Sequence, residues 1–192
     1  MNFASLLVLL MFLSGGANAL EVVGIKVPEK VQSGDQSLVL NGAGARVLVS
    51  VFNVYVIALY LPEKKHTVAE VLAEDASKRA TLTFLYGVTS AQLLDATYKL
   101  IAENHSAEEL KKAETGWKAF AAIFDHIKDI NKDDQIALDY NPATGTRVSL
   151  NGREIGRIEA GFMRLFLKVW LGERPVQADL KDRLLGVADG KR

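Results

Sequence analysis

The sequence predicts an α+β domain built on an antiparallel sheet. Strand-like and helix-like segments come in blocks rather than in βαβ alternation, which argues against a parallel sheet. Asn151-Gly152 between two apolar runs is a strong short hairpin signal and makes at least one strand pair antiparallel. No repeat or low-complexity linker interrupts the 192 residues, a length that suits one core.

The elements follow in order. The first nineteen residues are expected to be a signal peptide, so the domain covers 20–192. "LLVLLMFL" is too short to span a bilayer, and Ala17-Asn18-Ala19 is a cleavage signature. Cleavage between Ala19 and Leu20 would give a periplasmic or secreted protein. The n-region has no Lys or Arg, and an uncleaved membrane anchor is the alternative. Strands are expected at Leu20–Val27, Ser37–Leu40, Arg46–Phe52, Val54–Leu61 and Ala80–Tyr86, rich in β-branched and aromatic residues. Pro62 ends the central pair because proline cannot donate to a ladder. Two capping boxes, Thr89 with Gln92 and Ser106 with Glu109, each open a helix. Leu94, Tyr98 and Ile101 share a face of the first; Trp117, Phe120, Ala121 and Phe124 form a core stripe on the second. Strands return at Gln135–Tyr140, Thr146–Leu150 and Arg153–Ile158. "GFMRLFLKVWLG" and "QADLKDRLLG" read as closing helices, each stopped by glycine.

Composition excludes several functions. Basic and acidic residues number 23 each, which leaves no field to attract nucleic acid. With no cysteine there is no disulfide, zinc ribbon or thiol chemistry. No segment after the leader approaches the ~18 apolar residues of a membrane span.

Motifs remove others. In "LNGAGARV", Gly42 and Gly44 are followed by Val47 and a strand, so no third glycine or helix N-terminus can hold a pyrophosphate. The glycines instead permit unusual backbone angles or close chain approach. Asp129, Asn131 and Asp133 have calcium-loop spacing, but Asp134 and Tyr140 replace the turn glycine and the closing glutamate. A solvated acidic loop is the expectation, with no metal site. His66, His105 and His126 share no metal-ligand spacing, and no G-x-S-x-G elbow exists. Arg46 remains. A guanidinium keeps its charge, so inside an apolar strand pair it needs an anion, either an internal acid or a ligand carboxylate, unless it simply sits at the surface where the strand starts.

"LNGAGAR", "VYVIALYLPE" and the stretch from Asn151 to Gly186 resemble the chalcone isomerase-like family, in particular its exported bacterial members. The resemblance runs from about Val22 to Gly186. It implies an open-faced β-sandwich, a large antiparallel sheet with helices packed on one face and a cleft between them. It also implies that Arg46 lies in that cleft. The enzymes of the family use this arginine with a threonine, a tyrosine and an asparagine around a water. Here Tyr55 stands at the position matching the threonine and Leu93 at that of the helical tyrosine, which removes hydroxyls that would align the reactants. The fatty-acid-binding relatives pair the arginine with a tyrosine on the next strand, as Arg46 and Tyr55 do.

The resemblance thus implies a non-catalytic exported protein binding an amphipathic carboxylate, such as a fatty acid. Its ligand-binding residues would be Arg46 and Tyr55, with walls from Leu48, Ile57, Leu59, Leu93 and Leu94. No residue is assigned a catalytic role and no cofactor is required. One alternative is an intramolecular lyase (isomerase) acting on a planar phenolic compound. Another is haem binding, with His105 or His126 as axial candidates. One geometric difficulty accompanies the pairing. A two-residue turn at Phe52-Asn53 would set Tyr55 opposite Ser50, ~13 Å from Arg46 along the strands, unless a bulge closes the gap.

Overall fold

The computed structural model describes residues 19–48, 52–73, 75–159 and 161–187. The leader up to Asn18, and Ser50 of the expected pairing, lie outside the described residues. Where Leu20–Val27 was expected as one strand there are two, β1 (Ala19–Val22) and β2 (Ile25–Pro28). Val23 and Gly24 separate them at φ 49° and 78°, as a two-residue hairpin turn requires. The remaining strands are β3 (Lys30–Ser33), β4 (Gln36–Leu48), β5 (Phe52–Leu61), β6 (Lys78–Phe84), β7 (Val88–Thr89), β8 (Asp129–Ile130), β9 (Gln135–Asn141), β10 (Gly145–Leu150) and β11 (Arg153–Ile158). The helices are α1 (Val68–Leu72), α2 (Ser90–Glu103), α3 (Ala107–Ile123), α4 (Phe162–Leu171) and α5 (Ala178–Leu184).

Seven strands form one antiparallel sheet in the order β11-β10-β9-β6-β5-β4-β3. Strand alternation divides β5 between two cores. Tyr55, Ile57, Leu59 and Leu61 face the helices, while Val56, Ala58 and Tyr60 face the β1–β2 hairpin with Val27. The helices lie on one face, and α4 is the most deeply set of them. Phe162, Met163, Leu165, Phe166, Leu167, Val169, Trp170 and Leu171 are all buried. Both expected capping boxes form, and a third, Thr67 with Glu70, opens α1.

The sheet curls strongly. β3 and β9 are four places apart, which in a flat sheet would separate them by ~19 Å. Yet the Ser33 hydroxyl donates to Asp139 at 2.7 Å. The same carboxylate receives Arg79 at 2.5 Å and Arg147 at 3.2 Å. Burial alone would raise the Asp139 pKa, but the bonds from Arg79 and Ser33 outweigh it and hold the group ionised.

β4 departs from expectation. It runs unbroken through "NGAG", with a bulge at Asn41 where the register against β5 slips. The glycines do not bend the chain, and neither has positive φ. They let α5 lie directly on the strand. A Cβ at Gly42 would stand 2.0 Å from the Arg183 carbonyl oxygen, and one at Gly44 2.6 Å from a Leu180 methyl. Asn41 fastens the same junction, donating to the carbonyls of Leu184 (2.7 Å) and Lys65 (2.9 Å) and accepting from Lys65 N–H (2.7 Å).

Gly42→Ala should therefore destabilise the domain by about 1–3 kcal/mol, because its clash is with backbone. Gly44→Ala, which meets side-chain atoms of Leu180 and Arg183 rather than backbone, should cost less. Denaturant melts of the two variants check the order, and equal midpoints would contradict it.

Candidate functional site

β4 continues past the glycines to Arg46 on the same face. Arg46 lies directly opposite Tyr55 in the ladder. Phe52-Asn53 is not a turn, since both residues belong to β5 and pair with Leu48 and Val47 of β4. The register slips again at Val54: Arg46 pairs with Tyr55, whereas Val47 pairs with Asn53. Counted from Leu48 opposite Phe52, an unslipped ladder would set Tyr55 opposite Ala45; the bulge moves it one place, to Arg46. In place of the expected ~13 Å, the two residues are cross-strand partners, ~5 Å between Cβ atoms.

Tyr55 is buried, and its hydroxyl accepts the Trp170 indole N–H at 3.0 Å. The two rings meet edge to face, 6.4 Å between centroids. Burial pushes the phenol up to about 12, against smaller opposing effects from the indole bond and the Arg46 charge. With the indole on its oxygen, the phenol keeps its own proton for an acceptor in front of it.

Arg46 is half-buried and has neutral partners. Its Nη1 donates to the carbonyl of Val47 and, at 3.4 Å, to the Gln177 side-chain oxygen. Gln177 is held mainly by Val47 N–H at 2.9 Å. Among the described residues no carboxylate lies within ion-pair distance of Arg46. The guanidinium is therefore positioned without being neutralised.

Both side chains border a cavity of about 250 Å³ between the sheet and helices α2 and α4. Its walls are apolar, with Leu82, Phe84 and Ile136 from the sheet, Leu100 from α2, and Phe166 and Val169 from α4. Leu48 and Leu93 line it as well. Ile57 and Leu59, expected as walls, do not. They share the face but lie in close-packed core farther along β5, at 0% and 1% exposure. Leu94 also misses the cavity. Successive helical residues diverge by about 100°, so Leu93, Thr97 and Leu100 form the cavity-facing row, whereas Leu94 packs against the core. Trp170 and Gln177 escape a sequence reading. Trp170 looks like any apolar residue of a core helix, and Gln177 precedes α5 with no motif around it.

The histidines lie elsewhere. His105 borders a separate polar cleft beside Lys168 and Glu109, where burial lowers its pKa, and exposed His126 follows α3. The cavity lining contains no imidazole, so these residues do not fit a haem there. Asp134 of the acidic loop accepts from Asn131 N–H and the Asn151 amide, tying the loop to the β10–β11 hairpin. No group of three His, Asp or Glu with metal-binding geometry occurs among the described residues.

Tyr55→Phe should cost about 1–3 kcal/mol, since it strands the buried Trp170 N–H. The pH dependence has a definite sign. A pKa raised from 10.0 to about 12 means the folded chain holds this proton more tightly. Its contribution is complete below pH 10 and lost as pH rises toward 12. Tyr60, also pushed to about 12, behaves the same way. Alkaline denaturation should therefore be shallower in Tyr55→Phe than in wild type, and an unchanged slope would contradict the assignment.

Comparison with known proteins agrees with this fold. The sequence profile described as chalcone isomerase-like matches residues 19–186. A crystal structure of a fatty-acid binding protein from Arabidopsis thaliana superposes with a TM-score of 0.64 at 19% identity. The match covers 86% of this chain and 94% of that one. At that identity the likeness is one of fold. No curated protein sequence matches significantly.

Proposed function

The chain belongs to the chalcone isomerase-like family, and we propose that it is an exported, non-catalytic binding protein for an amphipathic carboxylate such as a fatty acid. The observation that carries this is Arg46, a charge with only neutral partners among the described residues, at the edge of an apolar cavity. A carboxylate there would meet the two-pronged guanidinium and the free proton of Tyr55, while its chain entered the cavity. At about 250 Å³ the space lies just below the ~300–1,000 Å³ of ligand pockets in general, which favours a slender chain. The fatty-acid binding protein of the same fold supports the ligand class. Export is inferred from the leader and its Ala17-Asn18-Ala19 site.

The alternative isomerase reading receives less support. Tyr55 is committed to Trp170 and keeps its proton well above neutral pH, so it is a poor general base. Leu93 offers no hydroxyl.

Fatty-acid titrations with thermal melts test the site. Arg46→Ala should weaken binding about tenfold to a hundredfold and leave the ligand-free melt little changed. A large loss of stability with unchanged affinity would make Arg46 structural. Arg46→Lys should recover only part of the affinity, because it keeps the charge but not the fork. Gln177→Glu should weaken binding as well, by supplying Arg46 with an internal carboxylate, yet without lowering the melting temperature. Undiminished binding by that variant would remove Gln177 from the site.

A further inference from the structure

The geometry points to a lipid-docking surface at the cavity mouth: Leu48, Phe52 and Tyr86 seat the opening on a bilayer, so that an acyl chain passes between membrane and cavity without crossing water. This rests on the fatty-acid reading of the site and adds where the ligand comes from. The three side chains are 46%, 55% and 55% exposed. Leu48 and Phe52 are register partners that close the β4–β5 hairpin. Phe52 and Tyr86 hold each other edge to face at 6.2 Å. Three exposed apolar side chains clustered together have a cost in solubility and call for a partner.

Two features favour a bilayer over a protein partner. First, the patch is continuous with the cavity. Leu48 belongs to both, and the other exposed residues of the lining, Gln92 and Ala96, lie on α2 across the opening. Second, the depths agree. Arg46 stands two residues behind Leu48 on β4, ~7 Å at strand rise. Interfacial segments bury ~5–10 Å into the headgroup boundary. With Leu48 and Phe52 among the acyl chains, the guanidinium therefore sits at headgroup depth, where a fatty acid carries its carboxylate. Tyr86, apolar with a polar tip, suits that boundary. A formal net charge of zero makes zwitterionic lipid the natural surface.

Flotation of the purified, ligand-free protein with phosphatidylcholine vesicles tests docking by itself, and stopped-flow transfer of a fluorescent fatty acid from those vesicles tests delivery. The double variant Phe52→Ser, Tyr86→Ser leaves the cavity lining intact. It should lose flotation and slow transfer by about tenfold or more, with unchanged equilibrium affinity for a soluble short-chain fatty acid. Wild-type protein that does not float, or a variant with undiminished transfer, overturns the proposal. So does a concentration-dependent dimer in sedimentation that the double variant abolishes, since the patch would then join two copies. Wild-type protein that floats but binds no fatty acid in solution would instead count against the ligand reading.

Discussion

How closely α5 can approach β4 governs the helix side of the sheet. Gly42 brings the α5 backbone to a distance that no side chain permits, Gly44 on the same face makes room for the Leu180 and Arg183 side chains, and Asn41 ties down the helix's far end. The residue preceding the helix, Gln177, is then delivered to the end of the strand, where its oxygen meets Val47 N–H and Arg46. Strand, glycines, helix and arginine form one chain of dependence. Close packing sets the position of α5, and that position sets the partner of the charge.

Two arginine environments in this fold make an instructive contrast. On the face opposite the helices, Arg79 and Arg147 converge on a single buried Asp139, which satisfies them within the protein and closes the curled sheet. On the helix face, Arg46 has a backbone carbonyl and an amide. The side-chain chemistry is the same and the outcome opposite. An arginine with an internal acid is part of the scaffold, whereas one held by neutral dipoles keeps its full attraction for an anion from outside.

Much of the architecture was legible in the sequence because it rests on local rules. Capping boxes at Thr89 and Ser106, the Asn151-Gly152 turn and the glycine stops are short-range chemistry. What failed was non-local. The single strand through "NGAG" depends on a helix some 140 residues later that supplies the reason for the glycines. The pairing of Leu48 with Phe52 and the bulge at Val54 carry no sequence signal, whereas Asn53 beside Phe52 suggests a turn that the strand β5 does not make. In the site, alternation placed Arg46, Leu48 and Tyr55 on one face but could not say where cavity ends and packed core begins. For that reason Ile57 and Leu59 were expected as walls. Leu93 and Leu94 are neighbours in sequence, and only the docked rotation of α2 separates their roles.

The bond from Ser33 to Asp139 has a temporal side. It joins positions 106 residues apart, and the strands between them must be in register before it can form. The β3 end of the sheet is made early in the chain, yet its closing contact waits for β9. Loop closure of that span is slow relative to hairpin formation. A chain emerging amino-terminus first thus carries two long, strongly apolar strands, β4 and β5, for some time before their cover exists. Such a topology rewards whatever delays collapse until the whole domain has emerged.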